Sequence, residues 1–180
     1  MRAVLDACVL YPTVLREVML GLAGQGLYTP LWSPRLLEEW ARAAARLGPG
    51  QEVVARGEAV AAALRFPGAS VALPLGAELA LDLPDADDRH VLAAAIAAGA
   101  DVIVTLNLRD FPVWALAPKG LRAVHPDAFL LELWRDHPRA VGTVVEAVRA
   151  EAERLSGEAQ PLRALMKRAR LPRLGKALSA

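Results

Sequence analysis

Residues 83–105 read LPDADDRHVLAAAIAAGADVIVT: an acidic turn, a helix of small apolar residues, a glycine stop and a β-branched strand, in that order. The turn Leu83-Pro84-Asp85-Ala86-Asp87-Asp88 leads into a helix over 89–98, with carboxylates near the positive end of its dipole. Gly99 ends that helix, because glycine takes the left-handed conformation without Cβ strain. Residues 100–105, apolar and β-branched, form the most strand-like stretch of the chain. A helix that feeds a buried apolar strand is the repeating unit of a parallel sheet, since parallel strands need crossovers.

The same alternation extends in both directions. Residues 2–7 read as a short buried strand ending at Asp6. Pro12 opens a helix over 12–24, with Val14, Leu15, Val18, Met19 and Leu22 at helical spacing, stopped by Gly24 and Gly26. A second apolar run covers 27–31. Ser33-Pro34 then supplies a capping hydroxyl and a proline at the first helical position, starting a helix with Leu36, Leu37, Trp40, Ala41 and Ala44 on its buried face. Gly48-Pro49-Gly50 is a break, 52–65 a further helix, and Val71 to Leu73 a candidate strand or extended segment. After the strand at 100–105 come a loop to Phe111, a short strand over 121–124 and a helix over 127–136. This order predicts an α/β/α sandwich with a central parallel sheet. Beyond Pro138 the strand signals stop. Helices are expected over 139–155 and 159–171, separated by Ser156-Gly157. The expected division is therefore 1–136 as the α/β domain and 137–180 as a helical, basic extension.

Composition excludes several classes. Hydrophobic residues make up 54% of the 180, enough for a real core. Lys+Arg number 21 against Asp+Glu 20, so net charge does not announce a nucleic-acid partner and only local clustering can. The single cysteine, Cys8, allows no internal disulfide and fits a reducing compartment. Asp6 comes too early for the apolar region of a secretion leader, and no uncharged apolar run reaches the ~18 residues of a membrane span. The expectation is a cytoplasmic protein with no membrane partner.

Chemistry is expected beyond the carboxyl ends of the strands, where parallel α/β sheets bind ligands. Asp6 ends the first strand, within apolar surroundings where an idle carboxylate is costly. Asp88 starts a helix, Asn107 and Asp110 follow the strand ending near Thr105, and Glu39 lies on the helix begun by Ser33. Glu38 and Glu39 point about 100° apart on a helix, so they cannot share one role. Carboxylates gathered at one sheet end repel each other unless a cation neutralises them. Oxygen donors favour Mg2+ or Mn2+, ions suited to activating water against a phosphodiester. Each residue also has an ordinary reading. Asp85, Asp87 and Asp88 suit a helix N-terminus, and Asp110 suits a turn.

At these same residues the chain resembles the PIN domain family. Val4-Leu5-Asp6-Ala7-Cys8 resembles the family's opening strand and aspartate, with Cys8 where asparagine is usual. Ser33-Pro34-Arg35-Leu36-Leu37-Glu38-Glu39 resembles the second motif and selects Glu39 by its six-residue spacing from Ser33. Asp88-Arg89-His90-Val91-Leu92-Ala93 resembles the third, and Val104-Thr105-Leu106-Asn107-Leu108-Arg109-Asp110 the fourth, with Asn107 where aspartate is common. The match runs in order over about 2–130, and in particular is similar to VapC-type toxins of toxin–antitoxin pairs.

The resemblance implies a PIN fold and hydrolysis of RNA by a Mg2+- or Mn2+-dependent endoribonuclease. Asp6, Glu39, Asp88 and Asp110 would be catalytic and metal-holding, Asn107 a further ligand, and Thr105 and Ser33 supporting groups. Cys8 removes a strong hydrogen-bonding side chain from the site. The implied partners are RNA, a small antitoxin inserting a cation among the carboxylates, and a second copy of the chain through apolar positions on the 12–24 helix, which core burial explains equally well. Arg163, Lys167 and Arg170, at i, i+4 and i+7 of one expected helix, would bind the RNA backbone. Two other readings stay open: a degenerate PIN domain that binds RNA or protein without cutting, and a structure-specific nuclease acting on DNA.

Overall fold

The structure, a computed structural model, describes residues 1–179. In chain order its elements are β1 (Arg2–Leu5), α1 (Ala7–Leu10), α2 (Thr13–Gly24), β2 (Thr29–Leu31), α3 (Pro34–Ala44), α4 (Gln51–Arg65), α5 (Arg89–Ala97), β3 (Val102–Val104), α6 (Val113–Leu116), β4 (Arg122–Val124), α7 (Pro126–Asp136), α8 (Pro138–Ser156), α9 (Leu162–Arg168) and α10 (Pro172–Ala177). They fall into two compact units. Met1–Tyr11 and Tyr28–Val124 form the first; Pro12–Leu27 and the chain from His125 onward form the second.

The first unit carries a four-stranded sheet in the order β2-β1-β3-β4, every pair parallel, as the expected α/β/α class requires. Ala3, Val4 and Leu5 of β1 and Val102, Ile103 and Val104 of β3 are fully buried. Strands covered on both faces read as unbroken apolar runs, which is why these two were legible. From β1 the chain goes first to β2 on one side, and reaches β3 on the other side only later. The strand order therefore reverses between β1 and β3, and a crevice at the carboxyl ends of that pair is the expected ligand position. Register places Leu5 opposite Val104, so Asp6 and Thr105 leave the sheet side by side.

α3 starts as its sequence dictates: the Ser33 hydroxyl accepts the Leu36 N–H at 3.3 Å and Pro34 occupies the first turn. Of the two readings of Val71 to Leu73, strand or extended segment, the strand does not form. Only one parallel bridge, Trp32 to Ser70, is made. Trp32 is followed at once by Ser33 and α3, so the partner strand turns away after one residue.

The second unit is helical. The apolar side chains Leu15, Val18, Met19, Leu20 and Leu22 of α2 are buried, so of the two readings of these positions core burial holds, and they are not exposed for a second copy. α2 and α7, assigned by sequence to the 1–136 region, cluster with α8, α9 and α10. Close approach explains two glycines: a Cβ on Gly21 would lie 2.6 Å from Val144 Cγ1, and one on Gly175 would lie 2.7 Å from Met166 Cβ. The single helix expected over 159–171 is also corrected. α9 ends at Arg168, Arg170 takes φ +61, and α10 begins at Pro172. Proline disfavours helical geometry in the residue before it, so a helix cannot run through Leu171. Arg170 thus does not continue the helical face of Arg163 and Lys167. The tail is nonetheless packed, with Leu165, Met166, Leu171 and Leu174 buried. The Asp127 carboxylate, itself 3% exposed, accepts the backbone N–H groups of Arg173 and Leu174 at 3.0 Å each, closing the start of α10.

Candidate metal centre

Asp6 is held where β1 ends. Its backbone N–H extends the ladder to the Val104 carbonyl at 3.1 Å. Its side chain is 8% exposed, and Oδ2 accepts the Thr105 hydroxyl at 2.6 Å and the Cys8 thiol at 3.1 Å. The Thr105 hydroxyl in turn accepts the Asn107 N–H at 3.0 Å, and Cys8 Sγ accepts the Leu106 N–H at 3.3 Å. A buried anion is tolerated only with such donors. Cys8 therefore does not leave the site short of a hydrogen-bonding side chain, as expected from sequence; it ties Asp6 to the chain after β3. Burial, with the Asp6 charge beside it, pushes the thiol up to about 12, so at neutral pH it stays a donor and not a thiolate nucleophile.

Beside this network, carboxylate oxygens of Asp85, Asp88 and Asp110 lie within 4.8 Å of one another. Asp85 caps and Asp88 ends a single 3-10 turn, Ala86–Asp88, whose three-residue repeat puts i and i+3 on one side. The Asp85 side chain also accepts the Asp87 N–H at 2.9 Å, so its helix-start role and its place in the cluster coexist. Asp110 closes another 3-10 turn, Leu108–Asp110, and accepts the side-chain amide of Asn107. Arg109, 87% exposed, has Nε 3.7 Å from Asp110.

The electrostatics register this crowding at Asp88, whose carboxyl is pushed up to about 6. Burial is the largest cause, followed by the charges of Asp6, Asp85 and Asp110, with His90 opposing. Three carboxylates converge, and the Arg109 guanidinium lies against Asp110. The donor set is all oxygen and strongly anionic, which fits a hard divalent cation such as Mg2+ or Mn2+.

Glu39 stands outside the mutual group but is tied to the same turn. Its Oε1 takes Arg35 Nε at 3.0 Å and His90 Nε2 at 3.0 Å, and Arg35 also reaches Glu78 at 3.2 Å and the Asp87 carbonyl at 3.4 Å. Burial raises the Glu39 carboxyl, but His90 and then Arg35 hold it below its ordinary value. Glu38 points instead to Arg42 and Arg56, whose hydrogen bonds hold it down to about 2. The choice of Glu39 over its neighbour thus has a geometric counterpart. Ser33 spends its hydroxyl on the α3 cap. Arg163, Lys167 and Arg170 are exposed in the second unit.

Of the expected residues, the fold brings Asp88 and Asp110 together, sets Asp6 near enough to act on Asp88, and hangs Thr105 and Asn107 on the same network. Sequence reasoning missed Asp85 and His90 as members of the assembly. The i, i+3 spacing of Asp85 and Asp88 was the available signal for the first. A lone imidazole in the small-residue helix 89–95 was the signal for the second.

A parallel α/β sheet gathers carboxylates at the switch between β1 and β3. The chain belongs to the PIN domain family, whose profile matches residues 2–109, a span that includes every site residue above except Asp110. It is also 53% identical over 57 residues to a protein of Mycobacterium tuberculosis described as putative ribonuclease VapC50; the match covers 30% of this chain and 34% of that protein. The chain thus aligns with about a third of that relative's length. No solved structure matches.

Proposed function

We propose that this protein is a metal-dependent endoribonuclease, the toxin member of a VapC-type toxin–antitoxin pair, acting in the cytoplasm. The observation that carries the reading is the convergence of Asp85, Asp88 and Asp110 within 4.8 Å, beside the buried Asp6 at the end of β1. Family membership and the relative's description as a putative ribonuclease support it. Among the described residues no helix is long and apolar enough to cross a membrane.

Asp85, Asp88 and Asp110 would hold Mg2+ or Mn2+, with Asp6, Glu39 and the Asn107 carbonyl as further oxygen donors. Bound there, the ion would supply activated water and neutralise phosphate charge. The chain does the positioning. Thr105 and Cys8 fix the orientation of Asp6 through hydrogen bonds from one side. Asn107 orients Asp110. Positive charge must lie elsewhere, because an acidic site repels RNA; Arg109 beside Asp110 and the exposed Arg163, Lys167 and Arg170 provide it. An antitoxin would inhibit by placing an arginine or lysine among the carboxylates, relieving the repulsion that a metal relieves.

The test is cleavage of a single-stranded RNA pool by the purified chain and by Asp6→Asn, with Mn2+ and with excess EDTA. The expected result is cleavage that needs the metal and drops at least a hundredfold in Asp6→Asn. Cleavage that survives both EDTA and the substitution would remove the proposal.

A further inference from the structure

His90 has no place in the donor set, yet it is among the most buried polar side chains of the chain, at 1% exposure. It sits in the first turn of α5, two residues after Asp88. Its Nε2 lies 3.0 Å from Glu39 Oε1, while its Nδ1 is buried with no hydrogen-bond partner. This pattern assigns the ring hydrogen. An N–H on Nδ1 would be a buried donor without an acceptor, and Nε2 would then face a carboxylate lone pair to lone pair. With the hydrogen on Nε2, the contact to Glu39 is a charge-assisted bond.

The geometry at Glu39 is equally one-sided. Both Nε2 of His90 and Nε of Arg35 converge on Oε1, and among the described residues no hydrogen bond reaches Oε2. The two donors differ in kind. Arg35 is 45% exposed and divided among Glu39, Glu78 and the Asp87 carbonyl. His90 is locked in the protein interior and makes one contact. An exposed, shared arginine cannot fix a rotamer as a buried ring can.

We propose that His90 is a positioning residue: its buried imidazole clamps Oε1 of Glu39 and reserves Oε2 for the cation. This rests on the metal-centre reading above. It adds a link between α3 and α5 that sets Glu39 relative to the Asp85–Asp88 turn. A clamp of this kind, one shell out from a metal, characteristically carries 10–100-fold in affinity.

The experiment measures Mn2+ affinity of the full chain, stripped with EDTA, by titration calorimetry without RNA. Four proteins are compared with wild type: Glu39→Gln, His90→Asn, His90→Gln and the Glu39→Gln/His90→Asn double variant. Glutamine can set its amide nitrogen where Nε2 lies; asparagine is too short to do so. The expected result is roughly a 10-fold or greater loss in His90→Asn, substantial recovery in His90→Gln, and a double variant no weaker than Glu39→Gln alone. Equal losses in His90→Asn and His90→Gln, or additive losses in the double variant, overturn the clamp, because a merely structural ring would act independently of Glu39. Should His90→Asn fail to fold, the imidazole 15N shifts of the wild type decide: hydrogen on Nε2 supports the clamp and hydrogen on Nδ1 overturns it. Absence of Mn2+ binding by wild type would instead remove the metal-centre reading and the clamp with it, while wild-type binding unaffected by His90→Asn removes the clamp alone.

Discussion

Replacing Asp88 by asparagine should make the metal-free protein more stable while destroying its capacity to be stabilised by metal. The folded-state carboxyl is raised from 3.8 to about 6, so the folded chain holds this proton more tightly than the unfolded chain does. The resulting contribution to stability is fully present below about 3.8 and is lost as pH rises through about 6. At pH 7.5 the ionised group is therefore a liability. A shift of about 2 units corresponds to about 3 kcal/mol as a ceiling, and for a half-buried group solvent screening reduces that to about 1–2 kcal/mol. Asparagine keeps the shape and removes the charge. In EDTA at pH 7.5, Asp88→Asn should melt higher than wild type by about 2–8 °C, at ~2–4 °C per kcal/mol for a chain of this size. The gain should shrink at pH 4.5, where the wild-type group is protonated. With saturating Mn2+ the order should invert, since only wild type gains from binding. Thermal unfolding followed by circular dichroism at the two pH values, with EDTA and with Mn2+, reads all of this. An Asp88→Asn protein that melts at or below wild type in EDTA at pH 7.5 would refute the repulsion argument.

Three further outcomes follow from other parts of the chain. The Cys8 thiol, pushed up to about 12 by burial and by Asp6, should react with a thiol reagent at pH 8 at least tenfold more slowly in the native protein than in denaturant; equal rates would contradict its half-buried, protonated state. Asp127→Ala leaves two N–H groups of α10 without acceptors and should cost about 1–3 kcal/mol in urea unfolding. Because α9 and α10 bury Leu165, Met166, Leu171 and Leu174, the basic surface is best probed without deletion: the triple change of Arg163, Lys167 and Arg170 to glutamine should weaken RNA binding and flatten its salt dependence by up to about 2 in log–log slope, with Mn2+ affinity unchanged.

What the sequence made legible was what local chemistry decides. The Ser33-Pro34 start of α3, the glycine stop at Gly99 with φ +56, and the apolar strand at β3 are each settled within a few residues. Failures came where a partner decides. Val71 to Leu73 has strand composition, but its neighbour Trp32 turns into α3 after one bridge. The helix expected over 159–171 stops before Pro172, but its last turn unwinds at residues 169–171, where Arg170 takes φ +61. At the site, Asp6 stood out because an aspartate in an apolar strand needs a reason. Asp85 did not, since a carboxylate before a helix already has one. Glu39 was separated from Glu38 by resemblance to a family motif; the physical difference, His90 on one side and Arg56 on the other, exists only in three dimensions.

The account stands or falls on whether the carboxylates at the switch between β1 and β3 hold a divalent cation. Anomalous diffraction from crystals of the stripped protein soaked in Mn2+ tests this directly. The account predicts a manganese peak coordinated by oxygens of Asp85, Asp88 and Asp110. A structure at saturating Mn2+ with no peak there, or with the metal bound only at other residues, would contradict it.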